Sequence, residues 1–173
     1  MRRWSALLLL LPLAVAAQTT GSDGSSRALD RNGEVGAPLP QYPEPENYLP
    51  FEVSATTPFA FFVDAKSVSV GSDSVVRYTL IAKSVDGALN ISFEGMRCTD
   101  GRYRVYAVGS VGNSWFESRN SKWENIPADS RNAQRAVLYK EYFCPPTGNV
   151  SSAAEAVRAL KSGGNSQAAK ERH

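Results

Sequence analysis

The two cysteines constrain this chain more than any other feature. Cys98 lies inside the stretch from Phe93 to Tyr106, which reads as the end of one strand, a tight turn at Asp100-Gly101 and the start of the next strand. Cys144 closes the aromatic run from Tyr139, and Pro145 and Pro146 follow it. A bond between the two would tie a hairpin to the last core element across 45 intervening residues. The chain-entropy argument puts that constraint at about 4 kcal/mol, less any strain. Whether such a bond is expected depends on the compartment.

The compartment is read from the N-terminus. Arg2 and Arg3 precede an apolar run from Ser5 to Val15 that contains five consecutive leucines, Leu7 to Leu11. Ala14-Val15-Ala16, or Val15-Ala16-Ala17 shifted by one, supplies the small residues of a signal-peptidase site, with Gln18 as the first mature residue. The run is short for a bilayer span, and no other stretch is long enough, so the mature chain is expected to carry no transmembrane helix. An uncleaved anchor is the alternative. Cleavage also removes two arginines: Lys plus Arg falls from 19 to 17, against 17 Asp plus Glu. The basic pI therefore belongs to the leader and is no argument for nucleic acid as a partner.

An even pair of cysteines in an exported chain is most simply a disulfide between Cys98 and Cys144. A pair of buried thiols or a redox couple is the other reading, although the spacing is not Cys-x-x-Cys. Two distant cysteines and the terminal His173 make no metal-ligand set, and no cofactor motif is present.

Residues 1–17 are the signal peptide, and 18–50 a flexible linker and proline-rich arm. The linker is Gly-, Ser-, Asp- and Asn-rich, while the arm from Pro38 to Pro50 holds five of the ten prolines. It reads either as a recognition motif or as an extended arm that packs Tyr42, Tyr48 and Leu49 on the domain. A globular domain spans 51–148. Phe59–Asp64 and Lys66–Val70 read as strands, Gly71–Ser74 as a turn, and Val75–Lys83 as a strand facing Val76, Tyr78, Leu80 and Ala82 one way and Arg77, Thr79 and Lys83 the other. Asp86-Gly87 signals a hairpin. Leu89, Ile91 and Phe93 then alternate with Asn90, Ser92 and Glu94. At Gly95 the alternation is expected to slip through a bulge, turning Met96 and Cys98 inward. Arg102–Val108 is the next strand. Gly109 to Asn125 reads as a loop or ragged hairpin that brings Trp115 and Trp123 together, ending at Ile126-Pro127. Asp129 or Ser130 caps a helix through Asn132 to Phe143. Residues 149–173 are a short helix, opened by the capping box Ser152-Ala-Ala-Glu155 and ended at Gly163-Gly164, and a disordered tail. The fold class is α+β: one domain, an antiparallel β-meander of about five strands packed against a C-terminal helix.

From about Phe51 to Pro146 the chain resembles the CNP-one-like family of bacterial envelope proteins. The resemblance rests on Val75-Val-Arg-Tyr-Thr-Leu80, Glu94-Gly-Met-Arg-Cys98, Tyr103-Arg-Val-Tyr-Ala-Val-Gly109, Trp123 with Ile126, and Tyr142-Phe-Cys-Pro145. It implies a periplasmic or envelope setting and brings no catalytic residues with it.

His173 is the only histidine, which leaves no base for a Ser-His-Asp triad. Ser-Lys chemistry has no supporting motif. A phosphate-cradling loop is also missing, since Gly109-Ser-Val-Gly112 lacks the lysine and the strand-to-helix setting. Carboxylates are scattered over Asp64, Asp73, Asp86, Glu94, Asp100, Glu117 and Glu124; a glycosidase would need two facing across a cleft. Arg97, Arg102 and Arg104 with Tyr103 and Tyr106 suit anionic head groups or stacked bases, or else a solvated strand face over a core tyrosine. Trp115, Phe116, Arg119 and Trp123 suit a sugar ring or a peptide, or else a core aromatic pair. Asn90-Ile-Ser92 and Asn149-Val-Ser151 fit the glycosylation triplet, which carries no meaning in a bacterial setting. The expectation is a periplasmic, non-enzymatic binding or structural module whose partner is an envelope protein or glycan; the alternative is an envelope glycan or peptide hydrolase built on a carboxylate pair.

Overall fold

A computed structural model describes residues 34, 36–119, 121–126, 133–146 and 148–166. The expected signal peptide, nearly all of the linker, the helix cap at Asp129 or Ser130, Pro127, Asn132 and the tail from Gln167 to His173 lie outside the described residues.

The strands are β1 (Tyr48–Phe51), β2 (Phe59–Val70), β3 (Val75–Ser84), β4 (Leu89–Arg97), β5 (Arg102–Ser110) and β6 (Ser114–Glu117), with the two-residue β7 (Glu124–Asn125). The first six form one open antiparallel meander in chain order, and β7 pairs with the start of β5. The meander thus gains β1 from the proline-rich arm and β6 from the glycine-rich loop. The two runs expected around Ala65 are one strand. Its register breaks between Asp64 and Ser69, and local bonds fill the gap. Asp64 Oδ1 accepts the Lys66 N–H at 3.2 Å, and Ser67 Oγ donates to the Asp64 carbonyl and accepts the Thr79 N–H, both at 2.8 Å.

Cross-strand partners share a face, so the register sorts the side chains. Val63, Leu80 and Ser92 lie on one face, as do Val76 with Met96 and Tyr78 with Glu94. This face packs on the helices. α1 (Ala133–Val137) runs into a π-helical turn, Leu138–Phe143, and α2 (Ala153–Lys161) follows. The expected single helix through Phe143 is therefore of two kinds. The wider turn buries Leu138, Tyr142 and Phe143 together and ends with the Cys144 N–H on the Tyr139 carbonyl at 3.0 Å. Tyr78 and Phe143 stack at 5.1 Å between ring centres, in a core completed by Phe51, Met96, Val150 and Leu160. Burial of each such side chain is worth about 1.5–3 kcal/mol.

Cys98 and Cys144 are bonded, with Cα atoms 5.4 Å apart. Beside the bond, the Tyr139 hydroxyl donates to the Cys98 carbonyl at 3.2 Å. α2 opens as its sequence suggested: Ser152 Oγ accepts the Glu155 N–H at 3.3 Å. The Glu155 carboxylate returns to the N–H and hydroxyl of Ser151 instead of Ser152, at 2.8 and 2.7 Å. Those bonds hold the Glu155 carboxyl below its ordinary range. Past Gly163-Gly164 the chain is still tied down, because buried Asn165 donates its N–H to the Glu141 carbonyl at 2.6 Å.

The expected slip at Gly95 does not occur. β3 and β4 pair without interruption from Val75 against Arg97 to Lys83 against Leu89. Glu94, Met96 and the residues two before them share the helix face throughout, and Leu89, Ile91 and Phe93 share the other. The bulge sits instead on β5, where Tyr106 is the extra residue between Val105, opposite Glu94, and Ala107, opposite Phe93. The alternation misled because a buried face was assumed to be an apolar one. Here both faces are covered, and the helix face carries Glu94 at zero exposure.

The second cover is the N-terminal arm. Tyr42 stacks on Trp115 at 5.2 Å, and Tyr48 on Phe62 at 5.7 Å. Gly109 lets Tyr42 in: a Cβ there would stand 2.6 Å from its hydroxyl. Beneath the arm lie Ile81, Thr79 and Arg77, all buried, though Arg77 and Thr79 read as the polar face of their strand. Among the described residues no helix is long and apolar enough to cross a membrane.

Candidate functional site

The four aromatic-loop residues are dispersed. Trp115 sits on β6 facing the arm, where its indole N–H donates to the Pro40 carbonyl at 2.9 Å and its ring lies 6.3 Å from Phe93. Trp123 lies just before β7, beside the opposite end of β5, with the Arg97 guanidinium 4.4 Å above its ring. The two tryptophans thus do not come together. Trp115 has a structural role, Arg119 is exposed, and Phe116 projects from β6 at 60% exposure.

Phe116 belongs to a larger surface. Pairing places Val63, Leu80, Ser92, Val108 and Phe116 in one row across five strands, on the helix face. The helices and the π turn cover the half of that face near Tyr78 and Met96. The other half stays open as a groove of about 530 Å³. Val53, Pro58, Phe59, Phe61, Leu80 and Ala82 form apolar walls, and Asn90, Ser92 and Gln134 supply polar groups. Phe59 is 38% exposed and Val108, next in the row, 43%. An exposed apolar strip with a few polar groups is the composition of a binding surface.

At the groove's inner end a buried ion pair joins sheet to helix. Arg135 donates from Nε and Nη2 to the two oxygens of Glu94 at 2.8 and 2.6 Å. Ser92 and Tyr78 donate their hydroxyls to the same carboxylate at 2.6 and 3.3 Å. Tyr103 stacks under the Arg135 guanidinium at 4.2 Å. Burial, with the Glu94 charge second, pushes the Tyr78 hydroxyl well above its ordinary range. Burial drags on the Arg135 guanidinium, but its hydrogen bonds and charge pairing with Glu94 outweigh that and leave it raised. The carboxylate's four contacts leave it little capacity to act on a ligand.

The arm face holds a second buried cluster. Glu34 accepts hydrogen bonds from Arg104 and from the Tyr106 hydroxyl, and lies 3.6 Å from Arg77. Arg77 is also gripped by Asp73 at 3.1 and 2.6 Å. Burial, with the Glu34 bond next, raises the Tyr106 hydroxyl. Gly95 makes room, since a Cβ there would meet the Tyr106 hydroxyl at 2.5 Å. The arginines that read as a solvated strand face are in part a clamp on the arm. Glu34, in the linker, carried no sequence signal, because Arg104 and Tyr106, which donate to it, are 70 and 72 residues away.

Of the other candidate carboxylates, Asp86 and Glu117 are exposed, whereas Asp100 and Glu124 are committed. Arg97 donates to Asp100 at 2.9 and 2.6 Å, which holds that carboxyl below its ordinary range. Glu124 accepts from the Tyr103 hydroxyl at 2.9 Å. One cleft, of about 370 Å³, is lined by two carboxylates, Glu44 and Asp64, with Lys66 and Tyr42. Desolvation raises Asp64, against the opposing pull of its local bonds. Glu44 lies 3.7 Å from Lys66 at the exposed rim. Among the described residues no cluster of three or more His, Cys, Asp or Glu side chains could hold a metal ion.

Comparison with known proteins agrees with the fold's extent. A curated relative, cryptic neisserial protein 1 of Neisseria gonorrhoeae (strain ATCC 700825 / FA 1090), is 34% identical over 95 residues, which cover 47% of this chain and 46% of that protein. The alignment thus spans about half of either chain. No solved structure matches. The model of the CNP1-like family matches residues 30–161, a span that takes in Glu34, the arm, all seven strands and both helices. By that match the chain belongs to the CNP1-like family.

Proposed function

We propose that this chain is an exported protein of the bacterial cell envelope, resident in the periplasm, that works by binding an envelope protein or glycan and not by catalysis. The observation that carries the binding half is the open half of the helix face. A groove of about 530 Å³ continues into exposed Val108 and Phe116 on a sheet that is otherwise covered on both faces. Phe116 is thereby the member of the aromatic-loop set most available to a partner. Export is supported by the basic, leucine-rich leader and by the Cys98–Cys144 bond, since disulfides persist in oxidising compartments.

The test is photocrosslinking in living cells from Phe59 and Phe116, with Arg158 on the exposed side of α2 as control. The reading expects a discrete adduct from both groove positions, absent from Arg158 and lost when Ser92→Trp fills the floor. Adducts that are equal at all three positions, or a protein that stays in the cytoplasm with its leader intact, would sink it.

The hydrolase reading is favoured by one observation, the Glu44 and Asp64 pair in a shared cleft, with Asp64 raised toward an acid's role. It ranks second because Asp64 already accepts the Lys66 N–H across the β2 bulge, while Glu44 faces Lys66. Turnover of an envelope glycan or peptide that disappears in Asp64→Asn would reverse that ranking.

A further inference from the structure

On the arm face, at the end of the sheet away from the groove, lies a cleft of about 350 Å³ lined by Arg97, Arg102, Arg104, Ser121, Lys122 and Trp123. Register explains the convergence. Arg97 pairs with Arg102 and Gly95 with Arg104, so three guanidiniums share one face of two adjacent strands. The segment before β7 then brings Lys122 and Trp123 alongside, through Ser121, which accepts from Arg104 Nε at 2.8 Å and donates to the Val105 carbonyl.

Among the described residues, four cations and no carboxylate line this cleft, in a chain whose mature charge is close to balanced. The carboxylates that touch the group do so from outside it. Asp100 takes the Nε and Nη2 of Arg97 and stands 3.6 Å from Arg102. Glu34 bonds Arg104 from the arm, and the Tyr103 hydroxyl holds Glu124. Arg77 and Asp73 pair with each other nearby. These contacts fix Arg97 and Arg104 in place. Arg102 and Lys122 are exposed. The Trp123 ring lines the cleft, and its indole N–H is buried with no acceptor among the described residues. A buried N–H left unmet is costly.

We propose that this cleft is a binding site for a phosphate group, held by Arg102 and Lys122 and oriented by the fixed guanidiniums of Arg97 and Arg104. A phosphate offers several strong acceptor oxygens and negative charge, which suits convergent guanidiniums and an ammonium. The site is separate from the groove and does not depend on the binding role proposed for it. The same chemistry is presented by free phosphate and by a lipid phosphomonoester headgroup.

The experiment follows the Trp123 indole N–H resonance of the ¹⁵N-labelled mature protein. In one arm inorganic phosphate is titrated. In the other, phosphatidylcholine vesicles with and without phosphatidic acid are tested by flotation. A saturable shift of the Trp123 resonance, with the Trp115 resonance unmoved, supports the site. Arg102→Ala and Lys122→Ala should each weaken the affinity about tenfold, the size of one lost charge-assisted bond, and the double variant should abolish saturation. Both side chains are exposed, so both variants should keep the native spectrum elsewhere. Flotation only with phosphatidic acid, lost in the double variant, assigns the phosphate to a headgroup; a shift without flotation assigns it to a soluble ligand. If neither probe acts, or if either acts equally on the double variant, the proposal is overturned.

Discussion

Replacing Arg135 by Met tests how far a buried charge pair holds the helix on this sheet. Arg135→Met keeps much of the aliphatic stem over Tyr103 and removes the guanidinium, so it isolates the charge. Glu94 is then left at zero exposure with Ser92 and Tyr78 as its remaining donors. Removing one member of such a pair costs about 3–5 kcal/mol, because the other is stranded. Against a total stability of about 5–15 kcal/mol for a domain of this kind, that is a large part of the whole. Glu94→Gln should cost less, since Arg135 retains 13% side-chain exposure and can draw on water. The double variant Glu94→Gln with Arg135→Met should recover part of the loss, giving a coupling of at least about 1.5 kcal/mol within the range seen for neighbours in one network. Urea denaturation of the four proteins, disulfide intact, measures all of these. A cost below about 1 kcal/mol for Arg135→Met, or additive single costs, would refute the reading that the pair is desolvated and coupled.

Three further outcomes follow from other parts of the structure. Replacing Cys98 and Cys144 by alanine opens a link across 46 positions and should cost about 4 kcal/mol, read as a lower denaturation midpoint. Gly95→Ala should cost about 1–3 kcal/mol by overpacking against Tyr106 and should expose the arm to limited proteolysis; an unchanged cleavage pattern would mean that the Tyr106–Glu34 contact does not hold it. Asp64→Asn should stabilise the protein at pH 7. The folded carboxyl of Asp64 is raised above its unfolded value by burial, so its ionisation opposes folding above the folded pKa, and that penalty fades as pH falls through the folded pKa toward the unfolded one. The variant's advantage should shrink over the same acid range, and an advantage that grew on acidification would contradict the assignment.

Much of the sheet was legible locally. Asp86-Gly87 and Asp100-Gly101 marked two hairpins, the alternation of Val76, Tyr78, Leu80 and Ala82 marked one buried face, and Ser152 marked the start of α2, because turn chemistry, period-two patterning and capping act over a few residues. The Cys98–Cys144 pairing was legible too, since a chain with two cysteines has a single intramolecular pairing to make. What local pattern could not carry is which face meets what. A strand between two covers has no solvent side, so Arg77, Thr79 and Glu94 read as outward residues although each is buried. Their partners are Glu34, Asp73, Ser67 and Arg135, some next door in sequence and some dozens of residues away. For the same reason Gly95 signalled an irregularity that belongs to Tyr106 on the neighbouring strand. The tryptophans were close in sequence and separate in space, because β6 and β7 pair with opposite ends of β5.

By itself, then, the amino-acid sequence determined the hairpins, the meander and the bond that staples its Cys98 turn to the π-helical end, since each depends on short-range chemistry or on a single possible pairing. The tertiary structure alone decided that the N-terminal arm seals the second face, that half of the helix face stays open around Phe116, and that Arg97, Arg102 and Arg104 meet Lys122 and Trp123 in one cleft. Those outcomes depend on strand register and on which segments come to lie over the sheet, and contacts between distant residues set both.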